Sequence, residues 1–266
     1  MEININSMQA FLRGINYMAS QWDPRTVPWF RGEPNMPESP LLPRIYRLDE
    51  HGRKLNENQI LQSFRRMSPA YIETPDIHAT DQWLFLMQHL RVPTRLLDWT
   101  EGALIALYFA LEQEKPVVWM LNPDELNQLS LPNEKVIPGV FPLTWLGDNN
   151  IGYMNIKAAW ELQRGGTERP VAIKPTYVHA RLAAQKSCFT IHGWSEKPLP
   201  AIVPDSIIAK FVIKKRAIPT LQRDLKILGI THTSVFPEAE FLAREIIESA
   251  LYIPDLRGDD SSTQAK

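Results

Sequence analysis

An apolar stretch between residues 95 and 121 constrains the fold more than any other part of the sequence. Residues 95–99 (RLLDW) predict a short buried strand. Thr100 is then expected to cap a helix over residues 101–114, whose alanines and leucines form a wide apolar stripe. Pro116 ends that helix, and residues 117–121 (VVWML) predict a second strand. This strand-helix-strand unit contains the strongest helix pattern of the chain.

Helices and strands flank this unit without regular alternation. Helices are expected over residues 7–18, 55–67, 155–164, 218–228 and 238–250, with a further one opening at Thr80. Strands are expected over residues 27–32, 171–173, 187–192 and 207–213. We therefore predict a compact, mixed α+β fold in preference to a doubly wound parallel sheet.

Composition limits the compartment and the partners. No apolar run in the 266 residues approaches the ~20 needed to span a bilayer, and residues 1–14 do not have the pattern of a signal peptide. The single cysteine, Cys188, excludes an internal disulfide and favours a reducing compartment, so we predict a cytoplasmic protein with no membrane partner. The net charge of -1 argues against general electrostatic binding of nucleic acid, although local basic clusters at 65–66 and 214–216 leave that partner open.

The common catalytic signatures are absent. The sequence has no Gly-rich phosphate loop with lysine, no dinucleotide-binding glycine triplet, no His-Glu-x-x-His and no Gly-x-Ser-x-Gly. The histidines and Cys188 have no zinc-like spacing, so no metal site is predicted. Cys188, next to Phe189 in an apolar strand, is expected to be a packed core residue.

Three segments place polar side chains inside apolar sequence, where burial without partners is costly. They are residues 29–32 with Arg31, residues 88–101 with a polar strand-to-helix junction, and residues 185–193 with Thr190 and His192. Each segment has a structural interpretation, in which the polar groups pair with each other, as Arg95 would with Asp98. Each also has a functional one, in which they meet a ligand. In the functional interpretation all three segments line one cleft.

The same segments resemble the FRG domain family. The matching residues include Phe30-Arg31-Gly32, residues 93–100 (PTRLLDWT), residues 189–193 (FTIHG) and residues 236–240 (FPEAE). On this resemblance, residues 1–254 form a single FRG-type domain with core motifs at about 20–240. Residues 255–266, which are small and polar, are expected to be a disordered tail.

The family layout is similar to that of ADP-ribosyltransferases of the arginine-serine-glutamate type, with a split sheet core. The resemblance implies that NAD is a substrate and that no metal is needed. It implies binding roles for Arg31, Gly32, Trp99, Tyr108 and Thr190, and catalytic roles for Gln185, Asp98, Thr100 and His192. It also implies a macromolecular target, protein or nucleic acid, an inhibitory partner protein, and a role as a toxin in bacterial antiviral defence.

Two other functional classes remain open from the sequence. Gln185 lies near the position expected for the catalytic glutamate, and residues 180–195 contain no Asp or Glu, which favours a non-catalytic module that binds a nucleotide or a protein. The other alternative is a metal-independent nuclease or hydrolase that uses His89, Asp98 and His192.

Overall fold

Strands and helices of the computed structural model follow the mixed order expected from the sequence. The structure describes residues 1–35, 40–76, 78–131, 168–175, 177, 180–193 and 195–250. The strands there are β1 (Glu2–Ile5), β2 (Trp29–Glu33), β3 (Leu96–Thr100), β4 (Val117–Leu121), β5 (Val171–Ile173), β6 (Ser187–Ile191) and β7 (Ile208–Ile213). The helices there are α1 (Met8–Ala19), α2 (Glu57–Met67), α3 (Thr80–His89), α4 (Ala103–Ala110), α5 (Pro123–Ser130), α6 (Ala180–Ala184), α7 (Ile218–Ile227), α8 (His232–Val235) and α9 (Ala239–Ser249).

The strands form one sheet in the order β1-β7-β4-β2-β3-β6-β5, parallel between β1 and β7 and antiparallel elsewhere. Strand β2 pairs with β4 at five positions, and β3 pairs with β6 at five, but β2 and β3 share the single pair Phe30 and Thr100. The sheet is therefore two lobes, of four and three strands, joined at one point. The α+β prediction is confirmed, and the two lobes agree with the predicted split core.

Helices α1, α4 and α7 cover one face of the four-stranded lobe. Their apolar side chains pack on Phe30, Val118 and Phe211 of the sheet. Helix α4 lies so close to β2 that a Cβ atom added to Gly32 would come within 2.0 Å of the carbonyl oxygen of Ala106. Only glycine fits at that crossing. The opposite face of the sheet buries Trp29, Trp99 and Trp119, with Cys188 and Leu126 among their neighbours.

The helix expected over 101–114 is shorter than predicted. Thr100 stays in strand β3, because it pairs with Ser187 of β6, and Gly102 becomes the N-cap of α4. The Thr100 hydroxyl accepts a hydrogen bond from the Gly102 N–H at 2.9 Å, so it fixes the turn into the helix without capping it.

Four elements were not predicted: β1, α5, α6 and α8. Helix α5 carried a recognisable start signal, since the Asn122 side chain accepts a hydrogen bond from the Glu125 N–H at 3.0 Å and Pro123 opens the helix. The helix expected at 155–164 and the tail at 255–266 lie outside the described residues. Among the helices described, none is long and apolar enough to cross a membrane.

Candidate functional site

A cavity of about 370 Å³ opens beside the point where β2 and β3 part. Six of the residues expected at the site line it: Arg31, Gly32, Asp98, Trp99, Thr100 and Gln185. The two strands have no second pair beyond Phe30 and Thr100, so side chains rather than backbone bonds fill the gap between the lobes. The split in the sheet therefore creates the site.

Arg31 bridges that gap. Its Nη1 donates to the carbonyl oxygen of Asp98 at 2.8 Å and lies 3.5 Å from the Asp98 Oδ2. The Arg31 Nε lies 3.5 Å from the Oε1 of Glu33. The Glu33 carboxylate is buried and also accepts a hydrogen bond from the Trp119 indole N–H at 3.0 Å. The Arg31 side chain is 20% exposed. The result is a guanidinium fixed in position at the cavity wall, with part of its surface open to a ligand.

Asp98 is not the partner of Arg95, which corrects the structural interpretation of this junction. The Asp98 side chain is 57% exposed, and its Oδ2 accepts from the Gln88 amide at 2.9 Å. Arg95 is buried on the other face of β3 and pairs instead with Glu57 of α2, Nη2 to Oε2 at 2.5 Å. The Asp98 carboxylate therefore lies at the cavity, partly open to solvent.

Thr100 and Gln185 join β3 to α6 and α8. The Thr100 hydroxyl donates to the Gln185 carbonyl oxygen at 2.6 Å, and the Gln185 side-chain amide donates to the Val235 carbonyl oxygen at 3.2 Å. Both residues thus hold the cavity together. The Gln185 Nε2 is committed to the protein, and its amide oxygen is the atom suited to accept from a ligand hydroxyl.

A family model, described as the FRG domain, matches residues 27–117, from the approach to β2 to the first residue of β4. Over these residues the chain is similar to FRG domains. The matched stretch contributes Arg31, Gly32, Asp98, Trp99 and Thr100 to the cavity, whereas Gln185 lies outside it. Neither the comparison with curated proteins nor that with solved structures gives a match.

Three residues expected at the site, Thr190, His192 and Tyr108, lie outside this cavity. Ser187 and Phe189 of β6 line it, so the alternation of the strand turns Thr190 and the following His192 to the opposite face, where both are fully buried. Thr190 accepts there from the Trp99 indole N–H at 3.0 Å. Tyr108 bonds to His232 Nδ1 at 2.5 Å and lines a different cavity.

The placement of His192 also removes the proposed trio of His89, Asp98 and His192. Burial, with a smaller contribution from Arg95, lowers the pKa of His192 to about 3, so the ring is neutral. His89 and Asp98 line the cavity, but His192 does not. Burial likewise raises the pKa of Cys188, which is a packed core residue as expected.

The aromatic wall of the cavity was not predicted, although Phe189 and Phe236 lie in segments that carry the family resemblance. Phe85 stacks on Phe189 with ring centroids 5.3 Å apart, and Phe109 packs edge-on against Phe236 at 5.7 Å. The guanidinium of Arg181 lies 5.1 Å from the Phe236 ring centroid. These side chains come from α3, α4, α6, β6 and the α8–α9 connection, so only the tertiary structure brings them together.

Arg91, Arg181 and Glu112 are further charged side chains at the cavity. Arg181 forms an ion pair with Glu238, Nε to Oε1 at 2.6 Å, and Glu112 follows the end of α4. Burial raises the pKa of Glu112 above its usual value. Among the described residues, no group of three or more His, Cys, Asp or Glu side chains comes together in a way that could hold a metal ion.

Proposed function

We propose that the cavity binds NAD and that the protein transfers ADP-ribose from NAD to a macromolecular acceptor. The observation that carries the proposal is the meeting of Arg31 and Asp98 at the gap between the two lobes, 2.8 Å from guanidinium to carbonyl and 3.5 Å from guanidinium to carboxylate. A fixed cation and a solvent-accessible carboxylate at one cavity are what this chemistry needs.

The cation suits the diphosphate. Arginine holds two oxygens at once and stays charged at any cellular pH, and Glu33 orients Arg31 from behind. The aromatic wall of Phe109, Phe236 and Phe85 suits the flat nicotinamide ring. A volume of about 370 Å³ is at the lower end for small-molecule sites, so we expect the cavity to enclose the nicotinamide ribose, with the adenosine half over the rim.

The carboxylate suits the bond that breaks. Cleavage of the nicotinamide–ribose bond passes through an oxocarbenium-like state, as glycoside cleavage does, and a nearby carboxylate stabilises it. Residues 180–195 supply no acid, and Asp98 takes that role in our proposal. The acceptor's nucleophile forms the new bond to the ribose carbon, nicotinamide leaves with the old bond's electron pair, and the acceptor's proton passes to Asp98. The Gln185 amide oxygen would accept from a ribose hydroxyl.

Calorimetric titration with NAD tests the binding step. Arg31→Lys keeps the charge but removes the two-oxygen grip. A hydrogen bond to a charged group contributes roughly 1.5–3 kcal/mol, so binding should weaken roughly ten- to hundredfold. Arg25→Lys, at an exposed arginine that pairs with Asp23, is the matched control and should bind as wild type does. Wild-type protein that gives no heat of binding at millimolar NAD would remove the proposal.

Nicotinamide release from labelled NAD tests the transfer step. Asp98→Asn should still bind NAD and should lose most of the release, because the amide cannot stabilise a developing positive charge or take a proton. If Asp98→Asn releases nicotinamide at the wild-type rate, Asp98 is not the carboxylate of the reaction.

A non-catalytic nucleotide-binding module is the second candidate, and one observation favours it. The Thr100 hydroxyl and the Gln185 amide N–H are committed to bonds within the protein, and Asp98 already contacts Arg31. Binding of NAD without any nicotinamide release would select this candidate. The toxin role in antiviral defence, the inhibitory partner protein and the cytoplasmic location stay predictions of the sequence.

A further inference from the structure

The structure contains a second and larger cavity, of about 980 Å³. It is bounded by the end of α4, by α7 and by the segment from Ile230 into α9. Tyr108 and His232 form part of its wall, and Glu112 lines both cavities. The two cavities are therefore neighbours that share one carboxylate.

The wall formed by α7 is cationic. Arg223 and Lys226 are three residues apart on this helix, so they lie on neighbouring turns of one face, and both are exposed and line the cavity. Neither side chain forms an ion pair or a hydrogen bond with any residue in the part of the chain that the structure describes. Arg244 of α9 lines the same cavity.

The acidic groups of the cavity offset these cations only in part. The Glu245 Oε2 accepts from the backbone N–H of Thr233 at 2.9 Å and from its hydroxyl at 2.7 Å, and these bonds lower the Glu245 pKa. That carboxylate is thus committed to the start of α8. Glu112 is the other acid, and burial raises its pKa.

The basic surface continues beyond the cavity. Lys214 and Arg216 precede α7 and are exposed, and Lys215 between them pairs with Glu114 at 2.8 Å. The floor of the cavity is apolar, formed by Leu111, Leu225 and Ile230. Cations at the rim above an apolar floor suit a molecule with phosphate at one end and a flat or apolar group at the other.

We propose that this cavity is a second binding site, for a phosphate-bearing ligand whose phosphate is held by Arg223 and Lys226. The ligand is either a free nucleotide or the backbone of a single-stranded nucleic acid, because both present the same phosphate next to a flat aromatic base whose face can pack on an apolar floor. The proposal does not depend on NAD chemistry in the first cavity.

Two probes distinguish a free nucleotide from a nucleic acid. Binding of ADP is measured by calorimetry, and binding of a fluorescein-labelled ten-nucleotide single-stranded DNA by fluorescence anisotropy. The test variant is Arg223→Ala with Lys226→Ala, exposed helix positions where alanine favours the helix. The matched control is Arg13→Ala with Arg66→Ala, which also removes two exposed helical cations and touches neither cavity. Arg31→Lys is the third variant, because ADP also fits the proposed NAD site.

We expect at least one probe to bind wild type, and its affinity to fall about tenfold or more in the Arg223/Lys226 variant while the control keeps it. Arg31→Lys should leave binding at this cavity unchanged and weaken only ADP bound in the first cavity. If the DNA is that probe, the source is nucleic acid. The slope of log affinity against log salt should then be shallower by about 1 to 2 in the Arg223/Lys226 variant. If ADP alone is that probe, the source is a nucleotide. The proposal is overturned if neither probe binds at millimolar ADP or micromolar DNA, if the control loses as much as the test variant, or if only Arg31→Lys loses binding.

Discussion

The ion pair between Glu57 and Arg95 gives the sharpest prediction about stability. Arg95 is 2% exposed and Glu57 10% exposed. The Glu57 carboxylate accepts three hydrogen bonds from Arg95: from the backbone N–H at 3.1 Å, from Nε at 2.9 Å and from Nη2 at 2.5 Å. Glu57→Ala removes all three and leaves the buried guanidinium without this carboxylate.

Removing one member of a buried pair costs about 3–5 kcal/mol, because the remaining charge stays desolvated. At about 2 °C per kcal/mol for a chain of this size, we expect the midpoint of thermal unfolding to fall by roughly 6–10 °C. Circular dichroism during heating, with urea unfolding for the free energy, measures the effect.

Asp98→Ala is the comparison, since sequence reasoning paired Asp98 with Arg95. Asp98 is 57% exposed, so its removal should cost no more than about 1 kcal/mol. A melting midpoint of Glu57→Ala within about 2 °C of wild type would contradict this prediction, as would a larger loss of stability in Asp98→Ala.

Three further predictions concern packing and pH. Gly32→Ala should prevent stable folding, because the new Cβ would lie 2.0 Å from the Ala106 carbonyl oxygen; soluble protein with an unchanged melting midpoint would contradict this. Asn127→Ala should cost about 2–4 kcal/mol in urea unfolding, because the buried amide bonds both the N–H and the carbonyl of Ala172 on strand β5, at 2.7 and 3.0 Å; a loss under 1 kcal/mol would contradict it. His192 has a folded pKa of about 3, below its ordinary 6.5, so the unfolded state takes up the proton first and stability falls as pH drops below about 6.5. Between pH 7 and 5 this one group should remove about 2 kcal/mol, and His192→Gln should show that much less pH dependence in urea unfolding.

Local sequence was sufficient for the elements and for much of the candidate site. Three local signals mark helices and strands: the Ser7 cap, the apolar run of β4 and the glycine after α7. Each acts over only a few residues. Polar side chains in apolar segments need partners, so Arg31, Asp98 and Gln185 were expected in one cleft, and all three line the first cavity.

The partner of each polar group depended on the tertiary structure. Arg95 immediately precedes β3, and Asp98 lies within it, three residues further on. This odd spacing turns the two side chains to opposite faces, so α2 supplies the carboxylate for Arg95 and β2 the guanidinium for Asp98. Successive side chains of a strand point to opposite faces of the sheet. Which of them face the cavity is set by which residues of β3 and β6 pair. The same logic separates Tyr108 from Phe109, adjacent on α4 but about 100° apart around the helix, so that they line different cavities. The sequence by itself determined which segments form strands and helices and which polar groups must be satisfied. Only the packing of the two lobes decided which of these polar groups face the cavity. The outcome depends on strand register and on contacts between residues far apart in the chain.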